Sequence, residues 1–130
     1  MNRCPDCTCE IAERYCPFCG YDSAMERVFV VQDQKRFDIG AAKSFGNLVF
    51  LLDEEATPYD ESVVATLHDK LSSYTPEDYL LLLGNPCLIG WTVAIAALYS
   101  GGPVKHLQWR GKTQSYIVVE VDLKTSLRAN

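Results

Sequence analysis

The chain has 130 residues, 48% of them hydrophobic and 22% charged, which fits one domain with a buried core and excludes a disordered chain. Its 12 Lys and Arg against 17 Asp and Glu give a formal charge of -5. An acidic surface is repelled by a phosphate backbone, so nonspecific coating of nucleic acid is disfavoured. The start Met1-Asn2-Arg3-Cys4 has no apolar run behind it; a secretory leader is therefore not expected, and the chain reads as cytoplasmic.

Five of the six cysteines crowd between Cys4 and Cys19. Disulfides in small scaffolds staple distant parts of a fold that lacks its own core, so this clustering points to a metal site. Cys4-Pro5-Asp6-Cys7 and Cys16-Pro17-Phe18-Cys19-Gly20 are two Cys-x-x-Cys units separated by eight residues. Each unit turns tightly enough to aim two thiolates at one ion, and two units complete the tetrahedron that zinc prefers. Cys9 is a competing ligand on chemistry alone, but only Cys4, Cys7, Cys16 and Cys19 give matched spacing. Iron suits the same four thiolates. Zinc is the expected ion, one Zn2+ per chain, because nothing else in the chain suggests the flavin or haem of an electron partner. A shell of four protein ligands leaves no position for water, so the expected role is structural.

This pair of Cys-Pro-x-Cys knuckles, the second followed by Gly20, resembles the short zinc-ribbon or rubredoxin-like module over about the first 22 residues. Thr8 and Cys9 stand where that module often has a glycine. Residues 1–27 carry three basic and five acidic side chains, fewer cations than a ribbon that grips nucleic acid presents.

A boundary is expected near Arg27, dividing the chain into a ribbon module, 1–27, and an α/β domain, 28–130. Residues 28–31 predict a short strand. The uninterrupted apolar run after Asn47 predicts a strand over 47–52 that is buried on both faces, ending in Asp53, Glu54 and Glu55. Thr57-Pro58-Tyr59-Asp60 provides a cap, a proline at the first helical position and a carboxylate three residues on, so a helix is expected from there with Val63, Val64, Leu67 and Leu71 on its buried face. Residues 79–83 predict a second apolar strand. Asn85-Pro86 predicts another helix start, and 87–99, apolar nearly all round with Gly90 allowing close approach, predicts a buried helix too short to span a bilayer.

Gly101-Gly102-Pro103 ends that helix, and 104–109 with 115–123 predict a β-hairpin around the basic turn Arg110-Gly111-Lys112-Thr113. Strands alternating with helices give the expected class: a small Rossmann-like, three-layer α/β domain, mostly parallel, with a C-terminal hairpin at its edge. The knuckles, Leu-rich strand, Gly-Asn-Pro turn and Trp-containing hairpin are similar to small uncharacterised proteins of tailed bacteriophages over 30–123. That resemblance implies a phage setting and says nothing of an activity.

Ligands of open α/β sheets bind beyond the carboxyl ends of the strands, so Asp53, Asn85 and Cys87 mark a candidate small-molecule, nucleotide or enzymatic cleft. The Gly84-Asn85-Pro86-Cys87 turn lacks both the glycine triplet of a dinucleotide site and the Gly-Lys-Ser/Thr of a phosphate loop. Cys87 sits at a helix N-terminus, where a thiol can be activated, but the apolar helix around it predicts a buried core cysteine. A ribbon before an α/β domain also resembles Toprim-containing primases and recombination mediators. Asp53 could supply the acidic residue those proteins need, but no Asp-x-Asp occurs here. His68 and His106 each stand alone and are expected to be structural or surface residues.

The remaining expectation is a non-enzymatic interaction protein that binds a protein partner, with nucleic acid disfavoured and no membrane contact. Its partner face is expected at the hairpin, where Trp109 and Tyr116 stand beside Arg110 and Lys112 in a locally cationic segment. The bland alternative is a Trp109 packed in the core, with cations that discourage edge pairing.

Overall fold

A computed structural model of the chain describes residues 2–3, 10–11, 26–34 and 38–126. Strands β1 (Asn2–Arg3) and β2 (Glu10–Ile11) pair antiparallel, Asn2 with Ile11 and Arg3 with Glu10. The four cysteines expected to hold zinc lie outside the described residues.

Strand β3 (Arg27–Gln32) is an interior strand of the main sheet, and its Val-Phe-Val-Val run is buried throughout. It pairs in parallel with β4 (Asn47–Leu52) on one side and with β5 (Tyr79–Leu81) on the other. β5 is followed in parallel by β6 (Pro103–Arg110), and β7 (Ser115–Asp122) returns antiparallel to close the order β4-β3-β5-β6-β7. A run of β-branched residues suits a strand covered on both faces, and β3 has that environment. β4 does not: it ends the sheet order, and Phe50 is exposed. Uninterrupted apolarity identified the strand, while its place in the pairing order decided its burial.

Helices α1 (Ser62–Leu71) and α2 (Pro86–Ser100) pack on one face of the sheet. Val63, Leu67 and Leu71 of α1 and Leu88, Ile95 and Ala96 of α2 close over Phe29, Val31, Leu51, Leu80 and Val104. On the opposite face, Val28, Val30, Leu81 and Leu107 meet Ala42, Ile39 and Phe45 from the 3₁₀ turn Gly40–Ser44 and its flanks. The architecture is a mixed α/β fold with a five-stranded, mostly parallel sheet. Among the described residues, the expected third layer is reduced to a single 3₁₀ turn.

α1 begins at Ser62 rather than just after Pro58. The amide of Asp60 bonds to the carbonyl of Thr57 at 3.2 Å, closing a separate turn. Asp60 then does the capping: its Oδ1 accepts from the amide of Ser62 at 2.9 Å and from the Ser62 hydroxyl at 2.8 Å, which lowers its pKa. Val64 faces water rather than the core, because Val63, Leu67 and Leu71 take the inward stripe and the next residue along the helix turns off it. α2 starts as expected, with Asn85 Oδ1 accepting the amide of Cys87 at 2.8 Å and Pro86 in the first turn. It ends on Gly101 in the left-handed region, φ 85. The expectation that α2 is buried all round fails, because the helix is an outer layer: it buries one stripe, leaves Leu98 and Tyr99 exposed, and nothing closely approaches Gly90.

The amino ends of β3 and β5 are tied by Arg27 and Asp78. The buried Asp78 carboxylate accepts from the Arg27 amide at 3.1 Å, its Nε at 3.4 Å and its NH2 at 2.8 Å, and from the amide and hydroxyl of Thr75 at 3.0 and 3.2 Å. Beneath it Tyr74 donates to the Asp78 carbonyl at 3.3 Å and accepts the Lys105 amide at 3.3 Å. Burial pushes the Tyr74 hydroxyl up to about 12, so it stays protonated.

Candidate functional site

The sheet order reverses between β3 and β5, and in open α/β sheets the crevice at the carboxyl ends of such a pair is the usual ligand position. Here Gln32, 4% exposed, fills it. Its Nε2 donates to the carbonyls of Asp53 at 3.1 Å and Ala56 at 2.9 Å, with Glu54 at 3.4 Å, and its Oε1 accepts the Asn85 amide at 3.0 Å. Gly84 makes room for this plug: its φ is +130, and a Cβ there would stand 2.6 Å from Cβ of Gln32. The strand-end residues Asp53 and Asn85 are thus brought together through backbone groups, across a seam that one buried carboxamide closes.

The helix end beside that seam is also committed. Pro86 has no N–H to offer, and Asn85 takes that of Cys87. Cys87 itself is a free, exposed thiol rather than the buried core cysteine its apolar neighbours suggest. It lies on the outward side of the first turn of α2, because Leu88 occupies the inward position. Asp53, Glu54 and Glu55 are exposed, as a solvated strand end should be.

Beside this seam, at the carboxyl end of β4, Asp53, Glu55, Asp60, Thr66 and Lys70 line an open pocket of about 360 Å³; a second opening lies across the sheet. The face opposite α1 and α2 carries a groove of about 410 Å³, bounded by Ile39, Leu81, Leu83, Leu107, Trp109 and Tyr116, with Asp38 and Gln108 among its polar lining residues. It exists because β6 and β7 are eight residues long while β5 has only three, and because the 3₁₀ turn covers only part of this face. Trp109 is 45% exposed and meets Tyr116 edge to face, with ring centroids 5.0 Å apart. Burial, and secondarily the charge of Asp38, raises the pKa of the Tyr116 hydroxyl. Asp38 is held in place through Oδ1, which accepts the Gly40 amide at 2.9 Å.

Of the hairpin residues singled out by sequence, Trp109 and Tyr116 line the groove. Arg110 ends β6 opposite Ser115, and Lys112 sits in the turn; both are exposed. Sequence reasoning missed the contributions of Asp38 and of the apolar residues from β5, which no local motif marks. Tyr116 stands directly opposite Trp109 in the hairpin register.

The two histidines remain apart. His68 Nδ1 hydrogen-bonds the Tyr99 hydroxyl at 2.9 Å on the surface of the helical layer. His106, on β6, has its Nδ1 buried without a hydrogen-bond partner among the described residues, and burial lowers its pKa. Among the described residues no group of three or more His, Cys, Asp or Glu could hold a metal ion, and no helix is long and apolar enough to cross a membrane.

Residues 26–123 match the family described as Phage Pam3 gp32-like protein. The chain belongs to this family. The matched segment begins one residue before β3 and takes in the whole five-stranded sheet with α1 and α2. It bears out the resemblance to phage proteins over 30–123, and the cysteine-rich segment falls before it. No match is found among curated proteins or among solved structures.

Proposed function

We propose that this member of the phage family is a non-enzymatic interaction protein. It acts in the host cytoplasm on a host protein or a nucleoprotein assembly and docks its partner on the open sheet face at the β6–β7 hairpin. The observation that supports this is Trp109: a large aromatic residue, nearly half exposed, beside an apolar groove and followed at once by Arg110 and Lys112. Aromatic and Arg side chains supply most of the energy at protein interfaces, and a preformed apolar groove is the usual seat for a partner's anchor side chain. A strand-end enzyme or nucleotide site is disfavoured by the Gln32 plug and the committed start of α2.

In the same reading the N-terminal segment is a zinc ribbon held by Cys4, Cys7, Cys16 and Cys19, serving as a rigid second contact. Besides the spacing, the antiparallel pairing of β1 with β2 supports it, because the segment joining them carries Cys4 and Cys7. Closing two thiolates at such a connection is how a knuckle works. Metal analysis of the purified chain is expected to find one zinc per chain, lost in Cys16→Ser while the α/β domain still melts cooperatively.

The docking reading is tested by cross-linking mass spectrometry in host extract, comparing wild type with Trp109→Ala and with Arg110→Glu plus Lys112→Glu. Cross-links concentrated on the hairpin and lost in variants of unchanged thermal stability are expected. Unchanged capture by both variants refutes the assignment of this face.

A further inference from the structure

The outer edge of β7 has a specific polarity. The Lys105 amide donates to the Tyr74 hydroxyl at 3.3 Å and therefore points away from β7. Lys105 faces Glu120 in the register, so this pair is not hydrogen-bonded, and the N–H and C=O of Glu120 point away from β6. By the two-residue period, Tyr116 and Val118 share that direction. The Leu123 amide, odd-numbered, turns inward to the Gly102 carbonyl at 3.1 Å, as the same alternation requires.

β7 is the last strand in the sheet order, and no described strand pairs with its outer side. Its eight residues, Ser-Tyr-Ile-Val-Val-Glu-Val-Asp, contain no proline or lysine, two common protections for an edge, and their charges, Glu120 and Asp122, stand only toward the carboxyl end. Val118 is 41% exposed on the open face and Val119 43% exposed on the helix side. Such an edge is a template for another strand.

We infer that β7 pairs antiparallel with β7 of a second copy of this chain, about a two-fold axis at Val119. Only residues with outward amides can be opposite one another as hydrogen-bonded pairs, which puts the axis on a residue rather than between two, and the longest overlaps of Ser115–Asp122 with itself centre on Val118 or Val119. Centring on Glu120 sets two like carboxylates face to face, which is unfavourable. Centring on Val118 leaves Val121 opposite Ser115. Centring on Val119 hydrogen-bonds Val118 to Glu120 and Tyr116 to Asp122 of the second copy. On the helix side it then aligns Ile117 with Val121 and Val119 with its own copy, so the β-branched row is covered without a like-charge pair. A sheet continued in this way keeps its faces, so both Trp109 grooves lie on the same side. The pairing itself does not depend on the docking reading.

Three variants test this in the full-length chain. The wild type is expected to be a dimer by light scattering at high micromolar concentration, and Val118→Pro a monomer of unchanged secondary structure, since the Val118 amide makes no bond within the sheet. In a Cys87→Ser background, Val119→Cys places two thiols on the axis. The Cα separation of a non-hydrogen-bonded pair, about 4.5 Å, is within the disulfide range, so mild oxidation gives a covalent dimer. Val118→Cys, opposite Glu120, and Cys87→Ser alone do not cross-link. A monomeric wild type overturns the inference. So does a dimer that survives Val118→Pro, or one that cross-links through Val118→Cys and not through Val119→Cys.

Discussion

Asp78→Ala tests how the amino ends of β3 and β5 are held. The substitution removes the acceptor for five donors: the amide, Nε and NH2 of Arg27, and the amide and hydroxyl of Thr75. Two partly buried backbone amides lose their partner at about 1 kcal/mol each, and the charged Arg27 bond adds about 1 kcal/mol. That last figure is kept small because the Arg27 side chain is 31% exposed and regains water, whereas Asp78 is only 5% exposed. The expected loss is about 3 kcal/mol, a large part of the stability of a domain this size and about 15 °C in Tm. Urea unfolding at unchanged m measures it, and Arg27→Ala with the double variant completes the cycle, with a coupling of about 1 kcal/mol between the two side chains. A loss under about 0.5 kcal/mol for Asp78→Ala, or additive single variants, would show that this network does not hold the strand ends.

Two further outcomes follow from buried and exposed groups. Because burial lowers the His106 pKa, the unfolded chain binds a proton near its ordinary value of 6.5 while the folded chain does not; its contribution to stability is present above that pH and is lost as pH falls toward the folded value. Denaturant midpoints measured from pH 7.5 down to 5.5 are expected to fall in the wild type, and His106→Leu should flatten that slope; an equal slope in both refutes the assignment. The exposed Cys87 thiol should react promptly with a maleimide in the native state, and Cys87→Ser should lose that labelled site; slow labelling, released only by denaturant, contradicts its position on α2.

Much of the fold was legible in the chain because its signals are local. Asn85 and Pro86 start α2 with the expected cap, the run after Asn47 is a strand with the expected ends, and Gly101 ends the helix where a left-handed residue was required. The hairpin also falls where the basic turn placed it. The capping of α1 was misread because Thr57 and Asp60 offer the same chemistry three residues apart, and the turn between them uses the first.

Everything that depends on what lies across from a residue needed the tertiary structure. Apolarity marked β4, but only the order β4-β3-β5-β6-β7 puts it at an edge. The same pattern that marks α2 as apolar cannot say that it lies on the outside of one sheet face, with Cys87 and Leu98 in water. Gln32 reads as the start of a polar stretch after the strand over 28–31, yet bonds to Asp53, Ala56 and Asn85 make it the plug of the crevice where a ligand was expected. The Trp109 groove joins Ile39, Leu81 and Tyr116 from three separate parts of the chain. Periodicity and caps act over a few residues and so are written in the sequence; edges, plugs and grooves arise from pairing between distant segments, which only the folded chain specifies.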